Sequence, residues 1–164
     1  MSTQARQAVA NNSKMRYTDS TQKSDLLDPA KTNTYLIAMM QWMLDNLWTP
    51  ILVLAIKTDH SPTGQHYDGC AIDCYPANWQ QGEQSTCTDM MSAASKCPFV
   101  EAVGLGGITK RWKGNVNWQI DSCQRQFFVL FDDNNTDHIH IAVANNVDKP
   151  GKRAQCMNYT KYTG

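Results

Sequence analysis

A carboxylate stands in the middle of the stretch best suited to a buried strand. Residues 70–75 read Cys-Ala-Ile-Asp-Cys-Tyr, between Gly69 and Pro76. A buried carboxylate with no partner costs several kcal/mol, so any fold that hides Asp73 must bring it a cation or donors. His66 stands seven residues earlier. A helix would separate the two by about 10 Å and a strand by roughly 20 Å. If they share a centre, the chain turns back between them, and Gly69 is the residue able to turn. This predicts His66 on a loop and Asp73 on the strand behind it.

The four histidines fall in two short segments, His60 to His66 and His138 to His140. Histidine and carboxylate are the usual zinc ligands of hydrolases, three protein groups leaving one position for water. His138 and His140 share one face of a strand, because side chains alternate. Asp137, at the edge of a loop, need not follow that alternation. Two arrangements satisfy the pattern. In one, His140 is the third ligand and Asp137 the base that activates water; in the other, both histidines are ligands.

The rest of the chain supplies a small frame. Residues 1–27 are polar, rich in Ser, Thr, Gln and Asn, and read as an N-terminal arm. Asp28-Pro29 has the chemistry of a helix start, and Leu36, Met39, Met40, Met43 and Leu47 recur at helical spacing as core. Thr49-Pro50 ends that helix. Residues 51–57, 70–75, 100–108, 126–131 and 138–144 read as strands, and a second helix runs from Ser85 or Thr86 to about Lys96. Residues 112–122 read as an irregular insertion. The sum is α+β: a single domain with a mostly antiparallel sheet of about five strands and two main helices. Its divisions are the arm at 1–27, a domain at 28–145 and a polar tail at 146–164.

Charge and cysteines exclude other classes. Fifteen basic residues balance fifteen acidic ones, without the basic excess expected of nucleic-acid binding. The longest apolar run, 51–56, is far shorter than the roughly 20 residues that span a bilayer, and residues 1–12 do not read as a secretory leader. Six cysteines, at 70, 74, 87, 97, 123 and 156, form no Cys-x-x-Cys pair, so a four-cysteine zinc site is not indicated and reduced thiols are expected. A bridge between Cys87 and Cys97 has suitable spacing but no other support. Gly104, Gly106 and Gly107 follow a strand without a helix after them, which reads as a bulged strand end rather than a phosphate loop. Asp132 to Asn135 lacks the spacing of a calcium loop. His60 reads as a loop residue, and Trp79, Trp112 and Trp118 as packing or rim groups.

His66-x-x-Gly69-x-Ala71-x-Asp73, followed by Asp137-x-x-His140, resembles the zinc D-alanyl-D-alanine carboxypeptidase and L-alanyl-D-glutamate endopeptidase family. That family includes many phage endolysins and shares its fold with the Hedgehog signalling domain. The resemblance spans residues 50–143. It implies Zn2+ held by His66, Asp73 and His140, with Asp137 as general base. His138, on the face that carries His140, is a separate candidate for a substrate-binding role. The substrate would be a peptidoglycan stem peptide. The family's strand arginine has only Lys57 in its neighbourhood here, and lysine offers charge without a two-pronged contact. Gly64 stands where the family has serine. The resemblance further implies a chain made in the cytoplasm that acts at the bacterial cell wall after lysis or from a virion, where the arm would meet a partner. A catalytically weak or inactive zinc-holding virion protein of the same fold is the rival expectation, and a Hedgehog-like module that binds a protein partner is a third.

Overall fold

The computed structural model describes residues 1–58, 64–78, 84–94, 96–105, 116–120, 126–131 and 138–143. The chain begins with a helix, α1 (Thr3–Ala10), a short strand, β1 (Met15–Tyr17), and a second helix, α2 (Ser20–Leu27). The segment read as an arm is thus folded into the body. Val9, Ala10, Met15 and Leu26 enter the core, and of the segment's polar residues Arg6, Gln22 and Asp25 are buried as well. Ser2 caps α1 by accepting from the Ala5 N–H. Asp19 and Gln22 form a reciprocal capping box on α2, satisfying donors that a helix start leaves open. Composition alone missed this because two eight-residue helices carry too few apolar positions to show a period.

The main helix, α3 (Thr34–Asn46), starts later than Asp28-Pro29 suggested. Asp28 instead ends α2. Its side chain accepts from the Ala30 N–H at 2.8 Å, and its carbonyl accepts from Lys31 and Thr32. An aspartate that bonds the backbone two residues on makes a turn rather than a cap. Asn33 takes the cap, accepting from the Leu36 N–H. From Tyr35 through Met40 every residue of α3 is buried, so the methionines serve as core packing. Leu47 closes the helix, accounting for the break before Thr49-Pro50.

The strands β2 (Ile51–Ala55), β3 (Ala71–Pro76), β4 (Val100–Leu105), β6 (Gln126–Phe131) and β7 (Ile139–Val143) fall where the apolar runs predicted them. A four-residue helix, α4 (Gly64–Tyr67), stands before β3, and α5 (Gln84–Ala94) follows it. Residues 116–120, expected to be irregular, form β5 (Val116–Ile120), which pairs antiparallel with β6. With β1 and β5 added the strand order is β1-β2-β3-β7-β4-β6-β5. The sheet is mixed: β1 runs parallel to β2 and β4 parallel to β6, while β2, β3, β7 and β4 form an antiparallel centre. The architecture is α+β, with more strands and helices than expected. Among the described residues no helix is long and apolar enough to cross a membrane. Residues 146–164 lie outside the described residues.

Candidate metal centre

The site forms where β3 and β7 lie side by side and α4 closes over them. Asp73 on β3 pairs directly with His140 on β7, so their side chains leave the same face of the sheet. Asp73 is 4% exposed and His66 2%. His66 stands on α4 rather than on a loop. The turn after it is made at Gly69, whose φ of +68° lies in the left-handed region. A Cβ there would also run into the carbonyl oxygen of Lys31, so only glycine fits. The Gly69 N–H donates to the His66 carbonyl at 2.9 Å and the Cys70 N–H to the Gln65 carbonyl at 3.0 Å. These bonds fold α4 back against the start of β3.

Three ligand-type atoms converge. His66 Nε2 lies 3.1 Å from Asp73 Oδ1 and 3.1 Å from His140 Nδ1, and His140 Nδ1 lies 3.0 Å from Asp73 Oδ1. The outer nitrogens of both rings are committed elsewhere. His66 Nδ1 lies 2.6 Å from the Ile56 carbonyl oxygen, which can only accept, so this nitrogen donates. His140 Nε2 lies 2.9 Å from Gln65 Oε1 and donates likewise. In neutral rings the inner nitrogens then carry lone pairs that face a carboxylate oxygen. Three acceptors cannot satisfy one another. Added protons or a cation must sit among them.

A cation fits. Tetrahedral zinc at 2.0–2.1 Å from its donors would set them about 3.3 Å apart, close to the 3.0–3.1 Å found. Outer-nitrogen bonds to a carbonyl or amide are what fix the tautomer and aim of metal-bound histidines. Burial alone would raise the Asp73 pKa, but where protons rather than a cation sit among the three atoms, hydrogen bonds from His140 and His66 and the charges of His66 and His138 hold it well below the usual carboxylate range. The group stays anionic, as a ligand must. His66, Asp73 and His140 therefore form a set able to hold a metal ion.

Of the other expected site residues, His138 and Lys57 are among those described. His138 Nε2 is 3.6 Å from Asp73 Oδ1, beside the carboxylate but beyond hydrogen-bonding distance. The arrangement in which His140 is the third ligand is the one whose donors converge. Lys57 follows Ile56, and its ammonium lies 5.3 Å from the centroid of the Tyr67 ring, a cation–π distance. Asp137, His60, Trp79 and Trp112 lie outside the described residues. Cys70, Cys74, Cys87 and Cys97 are buried; the Cys70 thiol donates to the Gln65 carbonyl. Sequence reasoning missed Gln65 and the Ile56 carbonyl. An exposed glutamine and a backbone oxygen carry no signal of their own.

No protein-family model, curated protein or solved structure matches this chain. The fold and the site define a small α+β domain with a candidate mononuclear metal centre built from two imidazoles and a carboxylate.

Proposed function

We propose that the protein is a zinc-dependent peptidase that cleaves a bond in the peptide stems of bacterial peptidoglycan. One observation carries the reading: two inward imidazole nitrogens and a buried carboxylate oxygen meet within 3.1 Å, while both outer nitrogens are tied to acceptors. Three protein donors leave a position open, the pattern of catalytic rather than structural zinc. Mixed imidazole and carboxylate donors suit zinc better than magnesium or calcium. The substrate class follows from the likeness of His66-x-x-Gly69-x-Ala71-x-Asp73 and Asp137-x-x-His140 to the wall peptidases.

When bound, zinc lowers the pKa of water to about 7 and polarises a carbonyl. The chain's own groups do the rest. The Ile56 carbonyl and Gln65 hold the outer N–H groups of His66 and His140, which fixes the tautomer that turns each inner lone pair toward the metal position. Asp137 takes the proton of the attacking water and passes it to the leaving amine, as a general base and then acid. His138 stands beside Asp73 with a side chain 13% exposed, and donates to the scissile carbonyl oxygen as charge builds there. Lys57 adds positive charge at the end of β2. The place of action is the cell wall, reached by lysis or from a virion.

The test is metal content together with amine release from purified peptidoglycan. The parent should hold about one zinc per chain, lose lytic activity to a strong chelator and regain it with zinc. Asp137→Ala should keep the metal and lose turnover; wall hydrolysis at the parental rate by that variant would remove Asp137 from the mechanism. A second reading, a zinc-holding virion protein without catalysis, draws on Gly64 in place of the family's serine. It expects stoichiometric metal and no free amines.

A further inference from the structure

We propose that Asp25 is a positioning residue for His66, so that the N-terminal segment through Asn33 is part of the metal centre's framework. The proposal rests on the metal reading of His66, Asp73 and His140. Asp25 lies on α2 and is fully buried, and its side-chain partners among the described residues, Lys31, Lys57 and Thr58, are not ligands. Its carboxylate reaches across to the end of β2. Oδ2 accepts the Lys57 N–H at 3.1 Å and the Thr58 N–H at 2.8 Å. Oδ1 accepts the Thr58 hydroxyl at 2.7 Å and pairs with the Lys31 ammonium at 2.9 Å. Lys31 Nζ also donates to Thr58 Oγ1 at 3.0 Å.

These bonds fall one and two residues past Ile56, whose carbonyl accepts His66 Nδ1–H at 2.6 Å. The aim of the His66 ring therefore depends on where residues 56–58 are held. The same N-terminal segment also grips the other side of His66. The Asn33 N–H donates to the Gly69 carbonyl at 2.9 Å, and the Lys31 carbonyl presses on Gly69 so closely that no side chain fits there. Residues 25–33 thus hold the backbone on both flanks of one ligand, at Thr58 before it and at Gly69 after it. A buried carboxylate that accepts two backbone N–H groups, a hydroxyl and an ammonium is costly to build. Bonds of this kind fix a strand exit in one place, which a metal ligand needs and a surface loop does not. Because binding linkage is reciprocal, metal at His66 should in turn steady α2.

The experiment compares the full-length parent with Asp25→Asn, Thr58→Val and Leu26→Ala. Zinc affinity is read by competition with a chromophoric chelator, site geometry by the visible spectrum of the cobalt-loaded protein, and folding by metal-free melting. Partners behind a metal ligand change affinity by about 10–100-fold; Asp25 acts one step further out, so Asp25→Asn should weaken zinc about 10-fold and alter the cobalt bands. Thr58 is exposed, so Thr58→Val folds even if Asp25→Asn does not, and it should weaken zinc in the same direction. Leu26 is a core residue on the same helix. Leu26→Ala should lower the melting temperature while its folded fraction binds zinc as the parent does. Parental affinity and parental cobalt bands in both Asp25→Asn and Thr58→Val would overturn the proposal. So would loss of affinity in Leu26→Ala in step with its melting temperature. A parent that takes up neither zinc nor cobalt would overturn the metal centre itself, and the proposal with it.

Discussion

Gly69→Ala tests how tightly the turn behind His66 is determined. Two separate costs arise. Gly69 has a φ of +68°, and an L-residue in that region loses roughly 1–2 kcal/mol. The new methyl would also meet the carbonyl of Lys31. That contact is backbone, not the end of a flexible side chain, so residues 31–33 must move. The bond from the Asn33 N–H to the Gly69 carbonyl would be strained or lost, at about 0.5–1.5 kcal/mol net. Together the expected destabilisation is about 1.5–3.5 kcal/mol. At roughly 2–4 °C per kcal/mol for a domain of this size, metal-free melting should fall by about 3–14 °C, followed by circular dichroism or calorimetry. Asparagine tolerates the left-handed region better than alanine but is no smaller. Gly69→Asn should therefore recover little if the clash dominates. Melting of Gly69→Ala within about 1 °C of the parent would refute both the turn assignment and the argument that His66 is aimed by it.

Further outcomes follow from the same geometry. Asp73→Ala should leave the protein folded but without bound metal by plasma emission, since two neutral imidazoles make a weak site; retention of stoichiometric metal would show that another carboxylate completes it. His138→Ala should keep the metal and slow amine release on the order of 100-fold, the usual effect of losing one donor to a developing oxyanion. Burial would raise the Asp25 pKa, but bonds from Thr58, Lys31 and the Lys57 N–H outweigh it and hold it below the ordinary carboxylate value. A carboxylate depressed in the folded state adds stability above its unfolded pKa of about 4 and loses it as pH falls through the folded value. The parent's urea midpoint should therefore fall below about pH 4 more steeply than that of Asp25→Asn. Burial and the charge of Asp68 push the Cys70 thiol up to about 11, so native protein at pH 8 should resist alkylation there by mass spectrometry.

What could be read in advance was whatever rests on a strong local pattern. Residues 51–55 and 71–76 are short apolar runs closed by breakers, and both are strands. Asp73 stood out because a carboxylate among Ala71, Ile72 and Cys74 needs a partner, and the structure supplies His66 and His140. Sites held by weak or distant cues were not legible. The eight residues of α1 hide their apolar face in Val9 and Ala10. Asp28-Pro29 looks like a cap until its side chain is seen bonding the Ala30 N–H. Among the described residues the β5 strand pairs with β6 alone, and nothing in residues 112–122 announces that partner. Asp25 looked like one more acid in a polar stretch, because its donors lie 32 and 33 residues away.

The place of β7 has a consequence for how the chain acquires its centre. This strand comes last among those described, yet it lies between β3 and β4. Until it arrives, both neighbours present unpaired edges, which in a growing chain invite association with other strands. His140 rides on β7, 74 residues after His66. A ribosome-bound chain could thus display His66 and Asp73 and still fail to capture an ion. Metal uptake would then report that the final strand has slotted home, and nascent chains cut before residue 139 should stay both metal-free and prone to clump.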